Sequence, residues 1–343
     1  MNTKEKSKLL SRISGIWTQY SFIFVFAAVF IVYSLTSSSL TWSGVMNIFR
    51  HSAVIGILAL GMGLVCLTGE IDLSMGSMLA IISGFSVVVF NLTDNILLTL
   101  AFAVAAGAAL GLINGVLVGV VEMPAFIVTL ATMLIYRSIA QYVCQHIPKE
   151  WCGGGSSVYR MSSDLSSYQS FYGIGNGKIA TIPIVGIVLV LMTALFVYLS
   201  AGTKFGKKVY AIGSNQKGAG MAGINVSLTK TVVFVIAGVL VGAGAFLWIA
   251  MNASSDPATT GSSYEMYAIA AVVLGGVSMS GGKGRCLGIL FGAMSYTVID
   301  KIIVALKMDS LINDAIKGAI LVAVILIQVA GPKLKEKLAY RRR

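Results

Sequence analysis

The chain has 343 residues, of which 57% are hydrophobic and only 11% charged, with a mean hydropathy of +0.87. A soluble globular domain carries about 25% charged residues and a disordered chain is poorer still in apolar side chains, so both are excluded and a membrane-embedded protein remains. The formal net charge of +12 then reports Lys and Arg gathered in cytoplasmic loops, and no nucleic-acid partner is expected.

Lys4, Lys6, Lys8 and Arg12 precede an apolar run over residues 16–35. That run exceeds the roughly 7 to 15 residues of a signal-peptide core, which predicts an uncleaved first span with its amino end inside. Further apolar runs at 53–67, 75–90, 96–121, 125–143, 182–200, 231–251, 266–279, 287–305 and 311–329 bring the expectation to about ten transmembrane helices. An even number puts both termini on one side. Of the 25 cationic side chains, 17 lie on the side this assigns to the cytoplasm: the N-terminal tail, 203–230, Lys283 with Arg285, and the tail from Lys333. Fold class is therefore all-α and polytopic, with 1–343 a single transmembrane domain in the lipid bilayer. Two weaker spans remain open as re-entrant segments.

Two connections are longer than tight turns. Residues 145–181, rich in Gly, Ser and Tyr, lie outside by parity, as a docking loop, a lid or an irregular surface loop. Cys152 lies in this connection and Cys144 immediately before it, either as free thiols or as a pair. Residues 202–230 lie inside by parity. There Asn215 is a plausible N-cap and Gly223 a plausible stop, predicting a two-turn helix lying flat between spans six and seven. A two-half internal repeat is suggested by Gly69-Glu-Ile-Asp-Leu-Ser74 and Gly275-Gly-Val-Ser-Met-Ser280.

No catalytic centre, metal site or cofactor is expected. Gly276-Val-Ser-Met-Ser-Gly281-Gly282-Lys283-Gly284 misplaces the lysine of a phosphate-binding loop and lacks its hydroxyl, and neither histidine stands in HExxH. If ATP drives this protein, another chain hydrolyses it. Polar side chains within the apolar sequence mark a conduit. Asp72 and Ser74 either cap the third span or face the path, roles that coexist. Asn114 follows. Thr129 and Thr132 lie three apart on one helix face, positioned for a neutral polyol or for their own helix carbonyls. Arg137 either snorkels or pairs, with Glu265 one candidate, and Glu265 stands at a predicted helix start before a glycine-rich break.

Four strings, GEIDLSMGS, PAFIVTLATMLIYRS, YAIGSNQKGAGMAGINV and YEMYAIAAVVLGGVSMSGGKGRCLGILFG, occur in that order across 47–331. Together they resemble the ribose/galactose/xylose-type permease subunits of bacterial ATP-binding-cassette sugar importers. The resemblance implies a multi-pass protein of the bacterial cell (inner) membrane that works with a cytoplasmic ATP-binding subunit, an extracytoplasmic sugar-binding protein, and a second permease copy or homologue. It implies a coupling role for Asn215, Gln216, Ala219, Met221 and Gly223, and a place along the translocation path for Asp72, Ser74, Asn114, Thr129, Thr132 and Glu265. Family members often have two glycines where this chain has Gly69-Glu70, two acidic residues at Gln216-Lys217, and Asp at Tyr267. The rival reading is a secondary transporter driven by an ion gradient, with Glu70, Asp72 and Glu265 as ion carriers.

Overall fold

The computed structural model describes residues 22–37, 40–154 and 157–308, together with 312, 315–320, 322, 323 and 326. The N-terminal tail and most of the expected final span lie outside the described residues. In chain order the helices are α1 (Phe22–Thr36), α2 (Trp42–Leu67), α3 (Met75–Thr93), α4 (Ile96–Gly119), α5 (Ala125–His146), α6 (Tyr168–Asn176), α7 (Ile184–Gly202), α8 (Lys204–Ser214), α9 (Gln216–Met221), α10 (Val226–Asn252), α11 (Tyr264–Leu274) and α12 (Cys286–Ala305). Among the described residues seven are long and apolar enough to cross a bilayer: α2, α3, α4, α5, α7, α10 and α12.

Helix starts follow local chemistry. Asn95, Asn225 and Thr203 each turn a side-chain oxygen onto a backbone N–H three residues on, that of Leu98, Leu228 and Gly206 respectively. α2 begins at Trp42, well before the expected Ala53: Thr41 caps it by accepting from the Gly44 N–H, and Arg50 within it donates to Asn176 on α6. The central α2 is buried over most of its length, whereas α4, α5 and α7 expose Leu112, Ile127, Leu134, Leu191 and Leu195. Such a face belongs against lipid or a second subunit.

α4 packs on α10 through a glycine ladder, Gly107, Gly111, Gly115 and Gly119. A Cβ at Gly107 would fall 2.2 Å from the Gly238 carbonyl oxygen, one at Gly111 2.4 Å from that of Phe234, and one at Gly115 2.7 Å from that of Thr231. Small residues at every fourth position let backbones approach this closely, which is the main source of packing energy where lipid removes the hydrophobic drive.

Three expectations need revision. The run 266–279 is not one helix: α11 stops at Leu274, and the chain to Arg285 is irregular, with positive φ at Gly276, Gly281, Gly282 and Gly284. The stretch read only as basic, 204–208, opens the eleven-residue helix α8, which buries Gly206, Val209 and Ile212. The connection 145–181 is built rather than irregular. It contains α6, a hairpin of β2 (Lys178–Ile179) with β3 (Ile182–Pro183), and β1 (Tyr159–Arg160) paired antiparallel to β4 (Ser254–Ser255).

Candidate functional site: a buried polar centre and its helical junction

The chain between α10 and α11 turns back into the bundle. Ser255 exchanges a 2.7 Å hydrogen bond with Ser83 on α3, and Gly261 lies so close to Gly76 that a Cβ on either would meet the other's carbonyl oxygen at 2.2 Å. Arg137 of α5 secures this segment by donating to the carbonyls of Pro257 (3.0 Å) and Thr260 (2.5 Å), so its bonds go to backbone rather than to a carboxylate. The amino ends of α3 and α11 thereby meet inside the bundle. Glu265, in the first turn of α11, sets a carboxylate oxygen against Gly76 in the first turn of α3. Irregular backbone at such depth is tolerated only where protein or a water-filled cavity satisfies it.

Beside that meeting point runs a connected polar chain. The Asp72 carboxylate accepts from the Ser74 backbone N–H (2.8 Å) and from the Ser74 hydroxyl (2.6 Å). Asn114 on α4 donates to the Ser74 oxygen at 2.8 Å, and Tyr136 on α5 donates to the Asn114 side-chain oxygen at 3.4 Å. Asp72 is 2% exposed and Ser74 and Asn114 are fully buried, so each needs these partners. Ser74 occupies the N-cap position of α3 without capping it through its side chain, and Asp72 bonds the N–H of Ser74 itself, two residues on, rather than an N–H of the helix. Thr129 and Thr132 return their hydroxyls to their own helix, to Ala125 and Val128, although Thr129 also approaches the Ile71 carbonyl at 3.4 Å. Tyr136 was missed by the sequence reading. It shares the face of Thr129 and Thr132, four residues further on, and that spacing was the available signal.

A separate cavity of about 260 Å³ opens between α11, α12 and the helical residues 315–320. Tyr267, Tyr296, Met266 and Lys317 line it, with Lys317 Nζ 4.7 and 5.1 Å from the two tyrosine ring centroids and 2.6 Å from Asp300. It is smaller than the roughly 300–1,000 Å³ of drug-sized sites.

At one end of the bundle α8 sits on 281–284 and on the loop at 67–70 that continues to Asp72. A Cβ at Gly213 would lie 1.9 Å from the Leu67 carbonyl oxygen and 2.5 Å from the Gly282 nitrogen, while Gly282 donates to Leu67 at 3.0 Å. Tyr210 donates to the Gly284 carbonyl at 2.8 Å. Thus 67–70 and 281–284, each at or beside one of the two similar strings, meet at the end of α8. α9 follows with Asn215 as its N-cap, accepting from Gly218 at 2.9 Å, and ends before Gly223 at φ +80°. Asn215, Gln216 and Gly223 are exposed, Met221 is 86% exposed, and Ala219 is buried. Ala219 therefore faces the chain itself, and Met221 is the projecting apolar group. The Lys230 ammonium, at the start of α10, donates to Glu70 (2.5 Å) and to Gln216 (3.0 Å).

Residues 44–325 match the family described as branched-chain amino acid transport system / permease component. The chain belongs to that family. It is 32% identical over 309 residues to the ribose import permease protein RbsC of Escherichia coli (strain K12), covering 90% of this chain and 92% of that one. It is 35% identical to RbsC of Bacillus subtilis (89% and 91% covered) and 30% identical to the xylose transport system permease protein XylH of Haemophilus influenzae (92% and 96%). No solved structure matches. This permease is accordingly a multi-pass protein of the bacterial cell (inner) membrane and belongs to a transport rather than an enzyme family.

Proposed function

We propose that this permease is the membrane-spanning subunit of an ATP-binding-cassette importer for a small neutral sugar, delivered by an extracytoplasmic binding protein and driven by a separate cytoplasmic ATPase. The observation that carries the reading is the junction of α8, which leads directly into α9, with 281–284 and with the loop at 67–70 that runs on to Asp72. A push on the projecting α9 has a packed route to Asp72, Ser74 and Asn114, and both loops change with it. The ATPase acts only through contacts that differ between its open and closed states, so a small exposed helix on a packed hinge is a suitable receiver.

In this reading the α8–α9 end faces the cytoplasm, as do both termini, and Asn215, Gln216, Met221 and Gly223 meet the ATPase while Ala219 anchors α9 to the bundle. About ten spans follow if α1, α11 and the final segment pair with the seven long helices, and the strings at 69–74 and 275–280 mark two related halves. The apolar faces of α4, α5 and α7 accommodate lipid and a second permease copy or homologue. Asp72, Ser74, Asn114, Thr129, Thr132 and Glu265 flank the path. Asn and Ser offer hydroxyl-matching donors and acceptors, the Asp72 carboxyl is held by Ser74, and the Tyr267–Tyr296 cavity is space for one small solute.

The test uses the assembled importer in proteoliposomes. Met221→Asp places a charge on an exposed apolar position without touching the fold. We expect loss of ATP-dependent sugar uptake and of ATPase co-purification, with normal yield and thermal midpoint. Unchanged uptake in Met221→Asp would refute α9 as the receiver. Uptake by the permease without its ATPase, abolished by an uncoupler, would instead establish the ion-driven reading.

A further inference from the structure

We infer that Lys230, Glu70 and Gln216 form a clasp through which movement of α9 reaches the buried polar centre, so that Lys230 and Glu70 are positioning residues for translocation. The inference rests on the proposed coupling role of α9 and adds the link that role requires.

Lys230 is only 7% exposed, in the second turn of α10. A buried ammonium is strongly unfavourable unless its donors are satisfied and its charge is balanced, so the position of Lys230 dictates where its partners stand. Its two partners lie on separate elements. Glu70 belongs to the loop between α2 and α3, two residues before the Asp72 carboxylate that orders Ser74 and Asn114. Gln216 is the first residue of α9. Among the described residues, the Gln216–Lys230 bond is the side-chain hydrogen bond that ties α9 to another helix of the bundle.

The asymmetry of the two bonds matters. Glu70 supplies the counter-charge, whereas Gln216 is neutral and exposed, so the α9 side is the one that water can replace when α9 shifts. Losing Gln216 leaves the cation leaning on Glu70 alone, and the shift is passed to the short chain Glu70-Ile71-Asp72. Ile71 adds a second contact in that chain, its carbonyl lying 3.4 Å from the Thr129 hydroxyl of α5. A displacement of α9 thereby reaches groups on α3, α4 and α5 together.

The experiment measures sugar molecules imported per ATP hydrolysed by the complete importer, with permease, ATPase and binding protein. Gln216→Leu keeps the Glu70–Lys230 pair; we expect the ratio to fall severalfold with the thermal midpoint unchanged. Lys230→Met, buried and outside the surface assigned to the ATPase, is expected to lower the ratio at least tenfold with ATPase association unchanged, and the exchange Glu70→Lys with Lys230→Glu to recover at least half of it. Wild-type ratios in both Gln216→Leu and Lys230→Met, or no recovery in the exchange despite normal folding, would overturn the clasp. Loss of ATPase association in Lys230→Met would also overturn it, by making the cluster part of the docking surface. ATPase-independent uptake in the unmodified protein would instead overturn the parent reading.

Discussion

Along the α4–α10 seam the glycines stand within continuous helices and recur every fourth residue, whereas at the α8 junction they lie at a helix end and in irregular chain with positive φ. Both bring backbones into contact, but the consequences differ. In the seam each close contact is repeated by the next turn, so the two helices can move only as one body. At the junction Gly213, Gly281 and Gly282 join three separate segments through one or two contacts each, with no regular hydrogen-bond ladder across them. Importers need both kinds of part: a frame that keeps its shape and a contact that transmits a shift because it is thin.

The largest effect expected from this contrast is at the seam. Gly111→Leu drives a side chain into the Phe234 carbonyl, where the helix backbone cannot withdraw without parting Gly107 and Gly115 as well. The expected destabilisation is at or above the roughly 1–3 kcal/mol typical of overpacking. Monodisperse protein after detergent extraction should fall sharply and the thermal midpoint should drop. A wild-type midpoint in Gly111→Leu would mean that the seam is loose and the frame lies elsewhere.

At the junction the same kind of change should spare the frame and break the function. Gly213→Ala sets a methyl against the Leu67 carbonyl and forces the end of α8 away from 67–70. Uptake is expected to fall on the order of tenfold, within the roughly 1–3 kcal/mol of typical coupling energies, while yield and midpoint stay near normal. If Gly213→Ala instead lowers the midpoint as Gly111→Leu does, the junction is part of the frame and the contrast fails.

Much of the frame was legible because hydropathy reports it directly: the seven long helices all fall on expected apolar runs. The glycine ladder was equally legible, as Gly107-x3-Gly111-x3-Gly115-x3-Gly119, but it passed unread beside the stronger hydropathy signal. α8 was obscured by Lys204, Lys207 and Lys208, although Thr203 before it and Phe205, Val209 and Ile212 within it have cap and helical spacing. The candidate centre was half legible. Asp72, Ser74 and Asn114 stand out as polar residues in apolar sequence and do meet. Their meeting with Tyr136 depends on how α5 packs against α4, and that of α3 with α11 at Gly76 and Gly261 on a chain reversal at 253–263, neither of which periodicity encodes. Lys230 was read as one of the topology-setting cations, since burial is a tertiary property. Glu70 and Gln216, noted separately as departures from the family pattern, converge on that one ammonium.

The smallest effect belongs to a tie at the opposite end, outside both the frame and the junction. Asp94, between α3 and α4, accepts from the Ser166 hydroxyl (2.6 Å) and from the backbone N–H groups of Ser166 and Ser167 (each 3.0 Å). These bonds, the Ser166 hydroxyl foremost, hold its carboxyl below the usual carboxylate range. A carboxylate whose pKa is depressed by folding stabilises the folded segment above its unfolded pKa of about 4, and that contribution is lost as pH falls through the lower folded value. Protease sensitivity of the 157–167 segment should therefore be flat between pH 5 and 8 and rise only below about 4, where protonation begins. Asp94→Asn should show the raised sensitivity at every pH, with sugar imported per ATP unchanged. A change in that ratio would extend the transmitting parts of the molecule to the far end, and the division into frame and thin contact would have to be redrawn around α3, the helix that joins Asp94 to Ser74.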